Sequence, residues 1–153
     1  MSPTIIRESN FEKARKAIKK AKLAKASTPI IFSSNDDELD RQVLEKEKID
    51  VLLLNQKSRK DFQKQRNSGF NQVMARAAKP NNVVIGINLD EIVDSDKKEK
   101  AQILARISQN VKLCNKNKLK MAFISISKHK DSYDLTALGL VLGMPTWMIT
   151  KFN

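Results

Sequence analysis

The chain has 153 residues, and its 29 basic side chains against 17 acidic ones give a net charge of +12. This length predicts a single α/β domain over residues 1–153 with a sizeable core. No apolar run is long enough to span a bilayer, the N-terminus lacks a signal-peptide core, and one cysteine excludes an internal disulfide. These features indicate a cytoplasmic protein, and the basic excess favours a polyanionic partner, nucleic acid before membrane.

Aromatic residues make up only 5% of the chain, with six Phe, one Tyr and one Trp. Proteins that hold single strands by stacking bases usually carry more of them. If nucleic acid is the partner, we therefore expect recognition of phosphates and shape.

A short strand is predicted at Thr4–Ile6, followed by a basic helix. Ser9 and Glu12 have the spacing of a capping box, in which each side chain bonds an unpaired backbone N–H. Apolar residues from Phe11 to Ala21 recur at helical spacing and indicate a buried face. The opposite face is basic and consists of Lys13, Arg15, Lys16, Lys19, Lys20, Lys22 and Lys25. It is either a solvated surface or a ridge that faces RNA or a partner.

Two further strands, predicted at residues 29–32 and 49–54, flank an acidic helix at residues 36–47. Residues 33–35 are expected to cap that helix. Between Ala26 and Gln56 there are seven acids and three bases, so the charge is segregated along the chain. A surface that was charged only for solubility would not need this segregation.

Residues 57–66, here called the basic loop, follow the strand that ends at Leu54. From Lys57 to Lys79 seven basic residues stand against one acid, Asp61. Ser68 is predicted to cap a short helix over residues 70–78, and a loop of this kind beside a helix start is suited to phosphates. The alternative is a solvated, mobile segment. The candidate RNA-binding residues are Lys57, Arg59, Lys60, Lys64, Arg66, Arg76 and Asn88.

Asn88 ends a strand predicted at residues 83–89, and it is either an RNA contact or a hydrogen-bonding residue that fixes a loop. An acidic cluster at residues 90–96 follows it. A long helix over residues 96–116 comes next, with a buried stripe predicted at Leu104, Ile107, Val111 and Cys114. A strand at residues 121–126 and a helix at 134–142 complete the pattern.

The regular alternation of short apolar strands with helices predicts a parallel sheet whose strands are buried on both faces. Five strands are too few for a closed eight-strand barrel, which needs about 250 residues. The sequence therefore predicts an incomplete TIM-like barrel or an open sheet.

A metal-dependent phosphoesterase is the alternative enzymatic interpretation, because such a site needs several histidines and carboxylates. The chain has one histidine, His129, which we expect on the surface. Asp90, Glu91, Asp94 and Asp96 alone would hold Mg²⁺ only loosely. Cys114 is expected to be a buried structural thiol. A basic scaffold that binds only proteins is a further alternative.

Several segments follow one another in an order that is typical of one protein family. The first is I-I-R-x-x-x-x-E-K-A-R-K-A-I, at residues 5–18. I-D-V-L follows at 49–52, R-K-D at 59–61, S-G-F-N-Q-V-M-A-R-A-A at 68–78, and N-N-V-V-I-G-I-N-L at 81–89. Y-D-L-T-A-L-G-L-V-L-G-M follows at 133–144. In this order the segments resemble component 3 of archaeal ribonuclease P and its eukaryotic relatives, and the last of them resembles that family's closing helix.

The resemblance implies a barrel of the polymerase-and-histidinol-phosphatase type and a role in maturation of tRNA 5′ ends. In that family the RNA subunit cleaves, so the chain itself is expected to be non-catalytic, with no cofactor and with Mg²⁺ held by the RNA. The implied partners are ribonuclease P RNA, precursor tRNA and other protein subunits, with a homodimer as a further possibility.

The chain also departs from the family pattern. It begins where the third strand is expected, so it resembles a shortened member. Residues 62–67 separate R-K-D from the glycine that usually follows directly. Gln72 stands where relatives commonly have His, and Asp90 where they have Arg.

Overall fold

The computed structural model describes residues 4–24, 27–127 and 130–152, so that Lys25 and His129, both expected on the surface, lie outside the described residues. The described residues form five strands and six α-helices. The strands are Thr4–Arg7 (β1), Ile30–Ser33 (β2), Val51–Leu54 (β3), Val84–Asn88 (β4) and Met121–Ile124 (β5). The helices are Phe11–Leu23 (α1), Asp37–Lys46 (α2), Gln72–Ala78 (α3), Leu89–Asp94 (α4), Lys97–Asn117 (α5) and Ser132–Val141 (α6).

The five strands form one parallel sheet in which their order follows the chain, from β1 to β5. The predicted α/β class with a parallel sheet is thus confirmed. Within the described residues the sheet is open, with β1 and β5 at its edges. Ile149 pairs with Met121 on the outer side of β5, and the Thr150 N–H donates to the Met121 carbonyl at 2.8 Å.

Both faces of the sheet are apolar, as predicted from the strand composition. Every residue of β3 is buried, and alternate side chains enter two different clusters. One cluster lies between the sheet and the helices and includes Phe32, Leu52 and Ile85. The other cluster lies on the opposite face of the sheet and consists of Ile31, Val51, Leu53, Val84, Ala122 and Ile124. Within the described residues, no further strand covers this face to close a barrel.

Three helices begin with a different cap from the one that the sequence predicts. The observed caps are Asn10, Asp36 and Asn71, where Ser9, residues 33–35 and Ser68 were expected. In each case the residue immediately before the first helical turn supplies the oxygen, as Asn71 Oδ1 does for the Met74 N–H at 2.9 Å. The predicted caps were wrong because in each case an Asn or Asp stands nearer to the first helical residue and accepts the hydrogen bond instead.

The acidic segment after β4 is helical, which the sequence analysis did not predict. Asn88 caps this six-residue helix, α4, by accepting a hydrogen bond from the Glu91 N–H at 3.3 Å. In α5 the buried stripe includes Ile103, whereas Leu104 is only half-buried. Within residues 4–24, 27–127 and 130–152, no helix has the length and apolar character needed to cross a membrane.

Candidate nucleic-acid interface

The carboxyl-terminal ends of the strands meet at one edge of the sheet, here called the carboxyl edge, and polar side chains link them. Asn88 Nδ2 donates to Asn55 Oδ1 at 3.1 Å, and Asn55 Nδ2 donates to Ser33 Oγ at 3.0 Å. The bonds connect the ends of β4, β3 and β2. Both ends of the Asn88 amide are engaged, because its oxygen also caps α4. Asn88 therefore fixes the loop at the end of β4, and whether it also contacts RNA stays a prediction.

A cleft of about 660 Å³ opens at this edge and brings together four of the seven candidate RNA-binding residues, Lys57, Arg59, Lys60 and Asn88. It also contains side chains that the sequence analysis missed: Arg7, Asn35 and Asn55. The signal that would have identified them is their position, since each stands at or just beyond the end of a strand. Lys64, Arg66 and Arg76 do not line this cleft.

Arg59 turns toward the protein, and its side chain is only 12% exposed. Its two terminal nitrogens each lie 2.9 Å from an oxygen of Asp37, and its Nε donates to the Asn55 carbonyl at 2.6 Å. Gly69, at a φ of +73°, makes room for this arrangement, because a Cβ there would lie 2.5 Å from Arg59 Nη2. The charge of Arg59 is therefore neutralised locally, and the side chain ties the basic loop to the start of α2.

Arg106 of α5 holds the basic loop from the other side. Its Nε donates to Asp61 at 2.9 Å, and its terminal nitrogens donate to the carbonyls of Gln56 and Arg59 at 2.8 and 2.7 Å. Asp61 also accepts from Arg66 Nη1 at 3.0 Å. The hydrogen bond from Arg106 is the main cause that keeps the pKa of Asp61 below its ordinary value. The loop is thus fastened to α5 by the buried Arg106 side chain.

Lys57, Lys60 and Lys64 are exposed cations of the basic loop, and none of them forms a salt bridge with the carboxylates of the described residues. Arg76 is likewise exposed on α3. The two arginines of the loop are thus anchored by carboxylates, while its lysines point their charge toward solvent. This division was not visible in the sequence, where all five basic residues have the same kind of neighbours.

The acidic residues beside the cleft are mostly engaged by hydrogen bonds. Burial raises the pKa of Glu91, whose carboxylate accepts the Gln56 N–H at 2.7 Å. The pKa of Asp90, in contrast, is lowered. Partial burial alone would raise it, but the hydrogen bonds from Ser125 Oγ at 2.7 Å and from the Ile126 N–H at 3.1 Å outweigh the effect of burial. Among the described residues no three His, Cys, Asp or Glu side chains are placed to share a metal ion.

The carboxyl edge therefore offers a polar floor of amides and a rim of exposed ammonium groups. Ammonium groups in this setting bind phosphates as point charges and need no fixed orientation of the ligand. The geometry suits a phosphodiester backbone that passes over the rim.

No protein-family model matches the chain. Over 123 residues it is 28% identical to ribonuclease P protein component 3 of Methanothermobacter thermautotrophicus, and the alignment covers 80% of this chain and 47% of that protein. The chain thus spans about half the length of this relative. The comparison confirms the resemblance that the sequence motifs indicated.

A chain in the cryo-EM structure of archaeal ribonuclease P with mature tRNA has a similar structure. The TM-score is 0.75 with 22% sequence identity, and the match covers 94% of this chain and 61% of the other. At this identity the likeness shows a shared fold.

Proposed function

We propose that the chain is a protein subunit of ribonuclease P that binds the catalytic RNA and supports removal of the 5′ leader from precursor tRNA. The observation that carries this proposal is the similarity to component 3 over 80% of the chain. A net charge of +12 and a rim of exposed lysines support an RNA partner. Other ribonuclease P proteins are the expected protein partners, Mg²⁺ belongs to the RNA subunit, and the expected compartment is the cytoplasm.

The open sheet is proposed to be part of a TIM-like barrel. Three features support this relation: all strand pairs are parallel, the strand order follows the chain, and the face without helices is apolar. In a barrel that apolar face would be the packed interior. The carboxyl edge would then correspond to the end of the barrel where binding sites are usually found.

The RNA surface is assigned to the lysines of the carboxyl edge. Arg59 and Arg66 are paired with carboxylates, so the phosphate contacts fall mainly to Lys57, Lys60 and Lys64. The exposed basic face of α1 is the competing surface. It carries more cations, but none of those in the described residues lines the cleft at the carboxyl edge, whereas Lys57 and Lys60 of the loop do.

Salt dependence of RNA binding separates the two surfaces. Each neutralised phosphate releases condensed counterions, so changing Lys57, Lys60 and Lys64 to Ala is expected to flatten the slope of log affinity against log salt by about two to three units. The matched control changes Lys16, Lys19 and Lys20 of α1 to Ala. A slope that flattens only in the control would move the RNA surface to α1.

The identity of the RNA is tested by purifying the protein from its own cell and sequencing what is bound. Enrichment of ribonuclease P RNA is the expected result. Recovery of protein partners without RNA would instead favour the protein-binding scaffold.

The chain is proposed to have no hydrolytic activity of its own. The support is that Asp37 and Glu91, the acids on the described lining of the cleft, are engaged by Arg59 and by the Gln56 N–H. Asp90, next to Glu91, accepts hydrogen bonds from Ser125 Oγ and the Ile126 N–H. Purified protein with Mg²⁺ or Mn²⁺ is therefore expected to leave precursor tRNA intact. Turnover that survives stringent purification and is abolished by Asp90→Ala or Asp94→Ala would favour the phosphoesterase alternative.

A further inference from the structure

A second cleft, of about 1030 Å³, lies at the opposite edge of the sheet from the candidate interface. Its lining includes Pro29, Asp50 and Lys120, each of which immediately precedes a strand. Because the strands are parallel, these residues meet at the amino-terminal edge of the sheet. The cleft is as large as typical small-molecule sites, which occupy roughly 300–1,000 Å³.

The walls of this cleft are basic. Lys79, Lys118 and Lys120 line it, and Lys79 Nζ donates to the Lys118 carbonyl at 2.8 Å, which holds two of the three lysines together. Asp50 is the one acidic residue on the described lining, and its carboxylate accepts the Ile30 N–H at 2.7 Å. Three cations against one engaged carboxylate favour an anionic ligand.

The cleft also contains the only tryptophan of the chain. Trp147 is 41% exposed, although its neighbour Met148 is fully buried and Ile149 pairs with β5. The ammonium group of Lys118 lies 5.5 Å from the centre of the indole ring. The ring is therefore held on a fixed turn, beside cations, with much of its surface in contact with solvent.

We propose that this cleft binds a segment of single-stranded nucleic acid, with a base stacked on Trp147 and the adjoining phosphates on Lys79, Lys118 and Lys120. An exposed aromatic face among basic side chains is the combination by which proteins hold single strands without sequence preference. An acidic peptide would satisfy the lysines but would leave the indole face uncovered. This site deepens the proposed function, since it adds a second contact to RNA on the other side of the sheet.

The single tryptophan makes binding directly measurable. Titration with hexauridylate is expected to quench Trp147 fluorescence to saturation, and changing Lys79, Lys118 and Lys120 together to Gln is expected to raise the Kd tenfold or more. Gln suits position 118, where the backbone φ of +57° disfavours β-branched residues. Lys120→Gln alone is expected to weaken binding measurably. Because Lys120 is exposed, this single change tests the site with less risk to the fold than the triple change.

The Lys57, Lys60 and Lys64 to Ala variant is the control for the other edge, and its quenching is expected to match that of the wild type. Whether RNA binds at the carboxyl edge, as proposed above, is decided by a separate measurement, the slope of log affinity against log salt. In this background, Trp147→Leu is expected to weaken binding of labelled hexauridylate about fivefold or more, measured by anisotropy.

Three results would overturn the proposal. The first is absence of quenching by hexauridylate. The second is equal affinity for an abasic hexanucleotide, which would reduce the cleft to a simple anion site. The third is equal or tighter binding of hexaglutamate, which would assign the cleft to an acidic peptide.

Discussion

Arg106 is a buried cation that organises its surroundings. Its side chain is 2% exposed and bonds Asp61 and two loop carbonyls. Replacement by Met keeps most of the volume but removes the Arg106 donors from Asp61 and from the Gln56 and Arg59 carbonyls, and removal of one member of a buried pair is costly. We expect Arg106→Met to lower the free energy of unfolding by about 2–4 kcal/mol in urea titrations.

The matched control for this change is Arg76→Met, because Arg76 is an exposed arginine in a helix. We expect it to shift stability by less than about 0.5 kcal/mol. Similar losses for both variants would show that the contacts of Arg106 contribute no special stability.

Asp40 predicts a dependence of stability on pH. Burial raises its pKa from 3.8 to about 7, partly offset by the hydrogen bond from Ser34 Oγ at 2.8 Å. Because the folded-state pKa lies above the unfolded value, the folded protein favours the protonated carboxyl. The corresponding stability is fully present below about pH 4 and is lost as the pH rises toward 7.

We therefore expect the wild type to lose about 2 kcal/mol more than Asp40→Asn between pH 5 and pH 8, measured from urea midpoints. The Asn variant keeps an oxygen that accepts the hydrogen bond from Ser34 but cannot ionise, so it is the control for the wild type. Parallel pH profiles for the two proteins would contradict the raised pKa.

At the level of elements, Gly86 lets β4 approach β3 closely. A Cβ at this position would lie 3.0 Å from Val51 Cγ1 and 3.2 Å from the Leu53 Cα, and Leu53 is the paired residue on β3. Since backbone in a hydrogen-bonded strand pair cannot move away freely, we expect Gly86→Ala to cost about 1–3 kcal/mol. Thermal denaturation followed by circular dichroism measures the change.

Gly139→Ala in α6 is the comparison. Its Cβ would lie 2.8 Å from Ile149 Cδ1, but that atom is the end of a flexible side chain, and Ala favours the helix by about 1 kcal/mol. A smaller loss is expected here than at Gly86. Equal losses of stability in Gly86→Ala and Gly139→Ala would show that the nearby Leu53 backbone does not cause the loss at Gly86.

The elements were largely predictable from the sequence, because their hydrophobic periods are clear. All five expected strands are present, and α1, α2 and α5 begin and end within about two residues of their predicted bounds. What was missed depends on tertiary contacts. A buried arginine such as Arg106 looks like any surface arginine in the sequence, and α4 is too short for periodicity to reveal it.

The candidate site was predictable only in part, for the same reason. The basic loop and its position after a strand are local features, and in the structure Lys57, Arg59 and Lys60 of this loop line one cleft together with Asn88. Which cations are paired is not local, because the partner of Arg59 is Asp37, on a different element. Whether the seven candidate residues contact RNA stays a prediction.

At the scale of the whole molecule, uncovered apolar surface predicts association. Val141 is 83% exposed, and Tyr133 and Leu140, which also belong to α6, are exposed as well. The outer edge of β1 is unpaired within the described residues. Monomers rarely tolerate such surfaces, so we expect a dimer, or a complex with another ribonuclease P protein when one is supplied.

Light scattering at low micromolar concentration checks this expectation. Changing Leu140 and Val141 to Lys is expected to shift the protein toward the monomer while circular dichroism retains its helical signal. A wild-type protein that stays monodisperse and monomeric, alone and with candidate partners, would count against it.

The order of the strands has a consequence for how the protein is made. Among the five described strands, each strand after β1 pairs with the one made just before it, so these four pairings need no distant, later segment. Domains tend to form from the N-terminus during synthesis, and pairings between nearby segments form fastest. The sheet is therefore able to grow on the ribosome one strand at a time, with the newest strand as its temporary edge until Ile149 and Thr150 close onto β5.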